Sequence, residues 1–194
     1  MPLDAVTLSA LRNELSGRIT GLKIDKVFQP EKDELILALR GASGSCRLLL
    51  SANQANARIC LTEAQRENPA VPPMFCMLMR KYIGGGVIRS ISQPPLERVV
   101  ELELDATDEM GIVRRRKLII ELIGRQSNII LTDEDGRITD AIHRVDGDIA
   151  TGKRQILPGM FYRPPEPQVK VNPLYTEPHQ LSSLLASAPT EAAA

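Results

Sequence analysis

The sequence predicts an α+β fold, in which an antiparallel β-sheet forms a sandwich or a partly closed barrel and carries two main helices. Two stretches repeat apolar residues with the period of a helix, and eight or nine short stretches show the patterns of strands, linked by short turns. The 194 residues are 43% hydrophobic and 25% charged, which is typical of a globular protein. This composition excludes a disordered tail, a collagen-like repeat and a coiled coil.

The first helix is predicted over residues 4–19. Leu8, Leu11 and Leu15 recur at spacings of three and four residues, which places them on one face of a helix. Asp4 precedes the first turn and has the short acidic side chain that favours a helix N-cap.

Four strands are expected next, joined by turns. Residues 30–33 and 41–44 contain the proline, aspartate and glycine residues that favour turns. Because the connections are short, we expect neighbouring strands to pair as hairpins. The strands are predicted at residues 22–28, 35–39, 47–50 and 58–61.

The second helix is predicted over residues 74–83. Prolines precede it and three glycines follow it, which is the punctuation of a helix start and end. Its first half, residues 74–79, is apolar on every side, so we expect this helix to be buried on most sides.

The second half of the chain is predicted to form strands. In residues 97–104, Val100, Leu102 and Leu104 share one face of a strand, and residues 133–136 favour a hairpin turn further on. Beyond Leu157 prolines become frequent, which suits an extended wrapping segment or a linker. The strands are predicted at residues 87–92, 97–104, 117–123, 128–131 and 137–142.

Two charged residues interrupt apolar strands. Arg98 has the same parity as Val100 and Leu102, so it must find a partner or reach the rim of the sheet. Glu121 lies among leucine and isoleucine residues, where a carboxylate is costly unless it is paired or at an edge. Each of them suits a structural ion pair, and each equally suits a ligand contact.

Two further polar stretches are candidates for recognition. Residues 124–128 read GRQSN and predict a tight turn that presents a cation, an amide and a hydroxyl group together. The basic run comprises Arg114, Arg115, Arg116 and Lys117 and is typical of a solvated strand end, with phosphate contact as the functional alternative.

Several classes of chemistry lack their residues. His143 and His179 are far apart in sequence and no paired cysteines occur, so we expect no metal site and no cofactor. Cys46, Cys60 and Cys76 are expected to be buried, reduced thiols. We found no phosphate-binding loop, no secretory signal after Met1 and no apolar run of membrane-spanning length, so we expect a cytoplasmic protein.

The charge balance argues against a general nucleic-acid scavenger. Lysine and arginine total 24, as do aspartate and glutamate, so the formal net charge is zero. Aromatic residues make up 3% with no tryptophan, which leaves few rings for base stacking.

An ordered set of motifs resembles the N-terminal domain of the NFACT family, which includes the bacterial RqcH factors and proteins described as fibronectin-binding. The motifs follow the family order over residues 3–173, which makes the set specific although each motif is modest. They read IDKVFQPEKDE at 24–34, LLLSA at 48–52, ARI at 57–59, PPMFCMLMRK at 72–81, ELIGR at 121–125, SNIIL at 127–131, LPGMFY at 157–162 and NP at 172–173.

The resemblance implies a part of a ribosome quality control factor. Such factors bind the split 50S ribosomal subunit that carries a stalled peptidyl-tRNA and recruit charged tRNA for template-free tailing of the nascent chain, mainly with alanine. This domain is implied to contact tRNA around the anticodon, with no membrane and no DNA as partners and no enzymatic activity of its own. The implied domains are residues 1–173 and, at 174–194, a linker with the truncated start of a helix-hairpin-helix domain.

The resemblance assigns RNA contacts residue by residue. The acidic residue and arginine of one family motif fall on Glu97 and Arg98, where the family often has aspartate in place of Glu97. A second motif places contacts on Glu121 and Arg125. Ser127 and Asn128 in the same motif are interpreted as turn formers and are weaker candidates for RNA contact. The basic run is a weaker candidate from its charge alone and comprises Arg114, Arg115, Arg116 and Lys117.

Two alternative functions stay open. A surface adhesin that binds fibronectin or fibrinogen is implied by the older family name. The family fold also resembles the N-terminal domain of formamidopyrimidine-DNA glycosylases, which use an N-terminal proline followed by a catalytic glutamate. Pro2 matches that pattern but Leu3 stands at the glutamate position, so a glycosylase is the least favoured function.

Overall fold

The computed structural model describes residues 3–42, 44–147, 154–166 and 176–187. They belong to two compact units, Met1–Arg163 and Pro164–Ala194. The second unit contains one described helix, Pro178–Ser187. The domain boundary at residues 173 and 174 falls outside the described residues and stays a prediction.

The first unit contains two α-helices and nine strands among its described residues, close to the number predicted. A short 3-10 helix, Gly124–Gln126, separates the seventh and eighth strands. The elements are α1 Ala5–Ile19, β1 Lys23–Glu31, β2 Glu34–Gly41, β3 Gly44–Ser51, β4 Arg58–Leu61, α2 Met74–Ile83, β5 Val87–Ser92, β6 Val99–Thr107, β7 Val113–Glu121, β8 Asn128–Thr132 and β9 Ile138–Ala141, with α3 Pro178–Ser187 in the second unit.

The nine strands form one open antiparallel sheet in the order β4-β3-β2-β1-β5-β6-β7-β8-β9. This corrects the predicted sandwich or partly closed barrel. A junction between β1 and β5, where Lys23 is paired with Val87, keeps the two halves continuous, while β4 and β9 are end strands of the sheet. The sheet is strongly curved. Strands β3 and β8 lie next to opposite edges of the sheet, yet Cα atoms of the two strands come within 8 Å of each other. Alternating strands look alike in all these arrangements, so the sequence could not separate them.

The sheet buries residues on both faces. One face packs with α1 and α2 in the main core, which contains Val100, Leu102 and Leu104 as predicted. The opposite face, towards which Val99 of β6 points, carries a smaller apolar cluster. This second cluster comprises Val99, Ile119, Ile130, Ile138, Ala141 and Ile156.

Helix α2 is more exposed than its composition predicts. It packs against β1 and β6 and buries Phe75, Met79 and Ile83. Met74 and Met77 are 66% and 53% exposed. The reason is geometric, since only one side of this helix faces the sheet.

Polar side chains connect the turn between β1 and β2 to Asn53 and to Arg58 of β4. Strand β1 extends to Glu31, which is inside the turn predicted at residues 30–33. A register irregularity around Pro30 accommodates a residue that lacks an N–H group. Arg58 donates to the carboxylate of Glu34 at 3.1 Å, and Asn53 donates to that of Asp33 at 2.8 Å. These contacts give structural roles to Asp33 and Glu34 of the first family motif and to Arg58 of the ARI motif.

The three cysteines are free thiols, as predicted, but only Cys76 is buried. Cys46 and Cys60 lie on β3 and β4 and are partly exposed, which corrects the expectation that all three are buried. Burial raises the pKa of the Cys76 thiol above its ordinary value.

Candidate nucleic-acid interface at one end of strands β6 and β7

The pairing of β6 with β7 brings the two main candidate motifs together. Val99 is paired with Glu121 at the ends of the two strands. One residue further out, the backbone N–H of Leu122 donates to the carbonyl of Arg98 at 2.8 Å. Glu97 and Arg98 therefore lie beside the 3-10 helix that carries Arg125, although the two motifs are more than twenty residues apart in sequence.

The loop before β6 is held in one conformation. The side-chain amide of Gln93 donates to the carbonyl of Ala5 at 3.0 Å and to that of Glu97 at 2.8 Å. The N–H of Glu97 closes a turn on the carbonyl of Pro94, and Leu96 has a φ of +56°. Such a backbone stores about 1–3 kcal/mol of strain in a non-glycine residue, so the surrounding contacts must enforce it.

Three charged side chains, those of Glu97, Arg98 and Arg125, lie at this end of the sheet. Glu97 and Arg98 are partly exposed and Arg125 is exposed. Among the residues that the structure describes, none of the three side chains forms an ion pair or a hydrogen bond. Arg98 thus meets the requirement of a strand-end arginine by reaching the rim of the sheet. Two guanidinium groups and a carboxylate together offer planar donors, an acceptor and stacking faces.

Glu121 is fully buried and paired, which confirms the expectation that its carboxylate needs a partner. The carboxylate accepts from the Nη1 and Nη2 atoms of Arg154 at 2.9 and 2.5 Å, and from the hydroxyl of Tyr162 at 2.8 Å. The guanidinium of Arg154 also lies 5.2 Å from the ring centre of Tyr162. Because its oxygens are occupied inside the protein, Glu121 supports the interface from within.

This buried network changes the acid–base behaviour of its members. Burial, with the adjacent charge of Glu121, raises the pKa of the Tyr162 hydroxyl far above its ordinary value of 10.0. Burial alone would lower the pKa of Arg154, but the hydrogen bonds and charge of Glu121 outweigh it and raise that pKa. Tyr162 is therefore a neutral donor and Arg154 a permanent cation at physiological pH.

The turn after β7 separates its polar residues between solvent and interior. Gly124 has a φ of +54°, which favours glycine, and Arg125 and Gln126 are exposed. Ser127 and Asn128 are only 2% and 1% exposed, so the hydroxyl group is not presented with the cation as the sequence predicted.

Asn128 acts as a structural clamp. Its side chain donates to the carbonyl of His143 at 2.7 Å and accepts from the backbone N–H groups of Ile129 and His143. The Ser127 hydroxyl has no hydrogen-bond partner among the described residues. Both side chains are therefore buried within the turn, and neither is exposed to a ligand at the surface.

The basic run lies towards the opposite end of β7, and three of its four residues pair with acidic neighbours. Lys117 pairs with Glu101 at 2.9 Å, and Arg115 approaches Asp105 at 3.6 Å. Arg114 contacts Asp108 and Glu134, while Arg116 lies over the ring of Tyr82. Seven residues of strand separate Arg114 from Glu121, or about 23 Å. The structure does not bring this run to Glu97 and Arg98.

Sequence reasoning missed Arg154 and Tyr162. The signal was the buried carboxylate of Glu121, which requires a cation, but Arg154 is 33 residues away in sequence. Within the described ranges, no group of three or more histidine, cysteine, aspartate or glutamate side chains is arranged to hold a metal ion. In the same ranges, no helix has the length and apolar character needed to cross a membrane.

The chain matches a family model described as "NFACT N-terminal and middle domains" over residues 4–194. It is 38% identical to the Rqc2 homolog RqcH of Bacillus subtilis over 175 residues, which is 90% of this chain and 30% of that protein. It is 36% identical to the Rqc2 homolog RqcH of Streptococcus suis over 189 residues, 96% of this chain and 34% of that protein. The chain thus spans about a third of the length of these relatives.

A solved structure shares the fold. The crystal structure of the N-terminal domain of fibronectin-binding protein PavA from Streptococcus pneumoniae matches with a TM-score of 0.87 and 35% sequence identity. The match covers 96% of this chain and 69% of that one. The family model covers nearly the whole chain, and relatives above 30% identity cover most of it. The chain therefore belongs to the NFACT family.

Proposed function

We propose that this chain is the tRNA-contacting part of a ribosome quality control factor. The names of its relatives support the ribosome quality control assignment. The observation that supports the tRNA assignment is that Glu97, Arg98 and Arg125 lie at the same end of β6 and β7. None of the three side chains has a protein partner among the described residues.

The chemistry of these three residues suits unpaired RNA bases. Sequence-specific proteins read RNA mostly in loops, where bases are splayed out and can stack on guanidinium planes. Arg98 and Arg125 provide such planes and also donors for base edges, while Glu97 accepts from an exocyclic amine. An anticodon loop offers bases of this kind, which is why we assign tRNA and its anticodon region as the ligand.

The proposed function of the intact protein includes steps beyond those of this chain. The intact protein binds a split 50S subunit that holds a stalled peptidyl-tRNA, recruits charged tRNA and supports alanine tailing of the nascent chain in the cytoplasm. This chain supplies recognition and contributes no catalytic group. Zero net charge fits that division, because the chain reads a small RNA surface while other parts of a longer protein supply affinity.

Crosslinking tests the proposal in its natural setting. The intact protein is irradiated in cells, and crosslinked RNA is sequenced to map contacts on both tRNA and ribosomal RNA. We expect tRNA crosslinks at the anticodon loop that disappear in an Arg98→Ala, Arg125→Ala variant and persist in an Arg18→Ala, Arg40→Ala variant of equal charge. Anticodon crosslinks that survive the first variant would contradict the site assignment.

A surface adhesin is the second candidate, and the fibronectin-binding name of the solved neighbour favours it. Cell fractionation separates the two functions. Our proposal expects the protein to sediment with free 50S subunits during stalling, whereas an adhesin would be found on the cell surface and would be removed by protease treatment of intact cells.

The glycosylase alternative is the least favoured of the three. The likeness of the fold to the N-terminal domain of formamidopyrimidine-DNA glycosylases stays an expectation, and Pro2 lies outside the described residues. We expect no covalent adduct when the protein is treated with borohydride in the presence of damaged duplex DNA. A trapped adduct that a Pro2→Gly variant abolishes would reverse this order of preference.

A further inference from the structure

A segment that we call the strap, residues 154–163, crosses the second face of the sheet. Ile156 in the strap is bridged to Val145, and the N–H of Ile138 donates to the carbonyl of Met160 at 2.7 Å. The N–H of Tyr162 donates to the carbonyl of Gly136 at 2.9 Å. The strap is therefore tied to the sheet along its length.

Both ends of the strap meet at the buried Glu121. The Nε of Arg154 donates to the carbonyl of Arg163 at 2.6 Å, while the other two nitrogens of the same guanidinium hold Glu121. Tyr162 binds the same carboxylate through its hydroxyl. One guanidinium thus binds both the backbone carbonyl of Arg163 and the carboxylate of Glu121. Glu121 is in turn paired with Val99 on the neighbouring strand β6.

The side chain of Arg163 is exposed and forms no ion pair or hydrogen bond with any described residue. Its backbone is held by the network that ends at Glu121, one residue pair away from Arg98. The backbone of Arg163 is thus held at the same end of the sheet as Arg98, while its guanidinium has no partner among the described residues.

We propose that Arg163 binds a backbone phosphate of the same tRNA, as a third cation at the end of the sheet where Arg98 and Arg125 lie. The inference rests on the proposed function and extends it, because it assigns phosphate binding to Arg163 and base reading to Arg98 and Arg125. A guanidinium presents parallel N–H donors that match phosphate oxygens. Arg154 is the positioning residue that fixes the backbone from which Arg163 projects.

Arg137 provides a matched control on the same face. It is also exposed, but its guanidinium lies 4.4 Å from the ring centre of Phe161 and donates to the carbonyl of Gly159 at 3.5 Å. Removing Arg137 subtracts the same charge from the protein without subtracting a free guanidinium. A difference between the two variants therefore reports a contact and not a change in net charge.

The test is the salt dependence of binding of purified tRNA to the intact protein. Each phosphate that a variant no longer neutralises lowers the slope of log affinity against log salt by about 0.7 to 0.9. We expect that fall for Arg163→Ala, with a several-fold weaker affinity at low salt, little change for Arg163→Lys, and no change for Arg137→Ala. Urea unfolding midpoints of the two Arg163 variants should match the wild type, since the Arg163 carbonyl is retained. The midpoint of Arg137→Ala should fall only slightly, because its ring contact is exposed.

Two outcomes would overturn the proposal while leaving the proposed function standing. One is an unchanged slope for Arg163→Ala when the wild type binds tRNA. The other is a slope that falls only with purified 50S subunits, which would assign the phosphate to ribosomal RNA. Failure of the wild-type protein to bind tRNA would instead remove the proposed function, and this inference with it.

Discussion

The carboxylate of Glu121 and the guanidinium of Arg154 form a bidentate ion pair that joins the end of β7 to the strap. Glu121 is fully buried, whereas the Arg154 side chain is 24% exposed. Glu121 is paired with Val99, next to Arg98, so this ion pair lies at the same end of the sheet as the residues that we assign to RNA. We expect it to stabilise that end of the sheet.

Replacing Arg154 should destabilise the protein strongly. Arg154→Ala leaves the Glu121 carboxylate buried with only Tyr162 as a donor, and removing one partner of a buried ion pair costs about 3–5 kcal/mol. Arg18→Ala is the control, because Arg18 and Glu14 form an exposed helix pair whose removal costs under about 1 kcal/mol. Urea unfolding measures both, and equal midpoints would show that the buried pair contributes nothing.

Stability should fall above pH 10 through Tyr162. Its pKa is raised above the ordinary 10.0 in the folded state, so the folded protein keeps a proton that the unfolded chain releases. The contribution is complete below pH 10 and is lost as pH rises, by at most about 1.4 kcal/mol per pH unit. Urea unfolding at several alkaline pH values should give a shallower decline for Tyr162→Phe. Parallel curves for the two proteins would be inconsistent with a buried neutral hydroxyl.

Two adjacent residues should respond in opposite ways to truncation. Ser127→Ala removes a buried hydroxyl without a described partner, so stability should be unchanged or slightly higher. Asn128→Ala removes three hydrogen bonds and leaves buried groups of His143 and Ile129 unsatisfied, at a cost of about 2 kcal/mol or more. Thermal unfolding of the two variants provides the comparison, and a destabilised Ser127→Ala would reveal a partner for that hydroxyl.

The basic run should matter little for tRNA. A Glu101→Gln, Lys117→Gln double variant removes an ion pair without changing net charge, so we expect tRNA affinity to stay within about twofold of wild type. Arg98→Ala should weaken binding by at least about fivefold, the lower end of the effect of removing a base contact. Titration with labelled tRNA at one salt concentration compares them. A larger effect in the first variant would move the site along β7.

The fold class and most elements could be predicted because alternation and helical periodicity are local signals. Val100, Leu102 and Leu104 share a buried face as their spacing requires. The choice between an open sheet and a sandwich depends on how β1 meets β5, which no periodicity encodes. The exposure of Met74 likewise depends on what lies opposite α2.

The site was predicted in part for the same reason. An isolated carboxylate in an apolar strand indicates that Glu121 needs a partner, but only the fold brings Arg154 to it. Ser127 and Asn128 looked like surface groups because turn sequences are usually solvated. They are buried because the turn packs against the chain around His143.

The most direct test of the central claim is a Glu97→Ala, Arg98→Ala double variant of the intact protein, with Glu14→Ala, Arg18→Ala as the matched control. We expect an unchanged urea midpoint, because neither side chain has a partner among the described residues. We also expect loss of tRNA binding and of alanine tails on stalled nascent chains, while the control keeps both. Wild-type tRNA binding and tailing by the stably folded double variant would contradict the account.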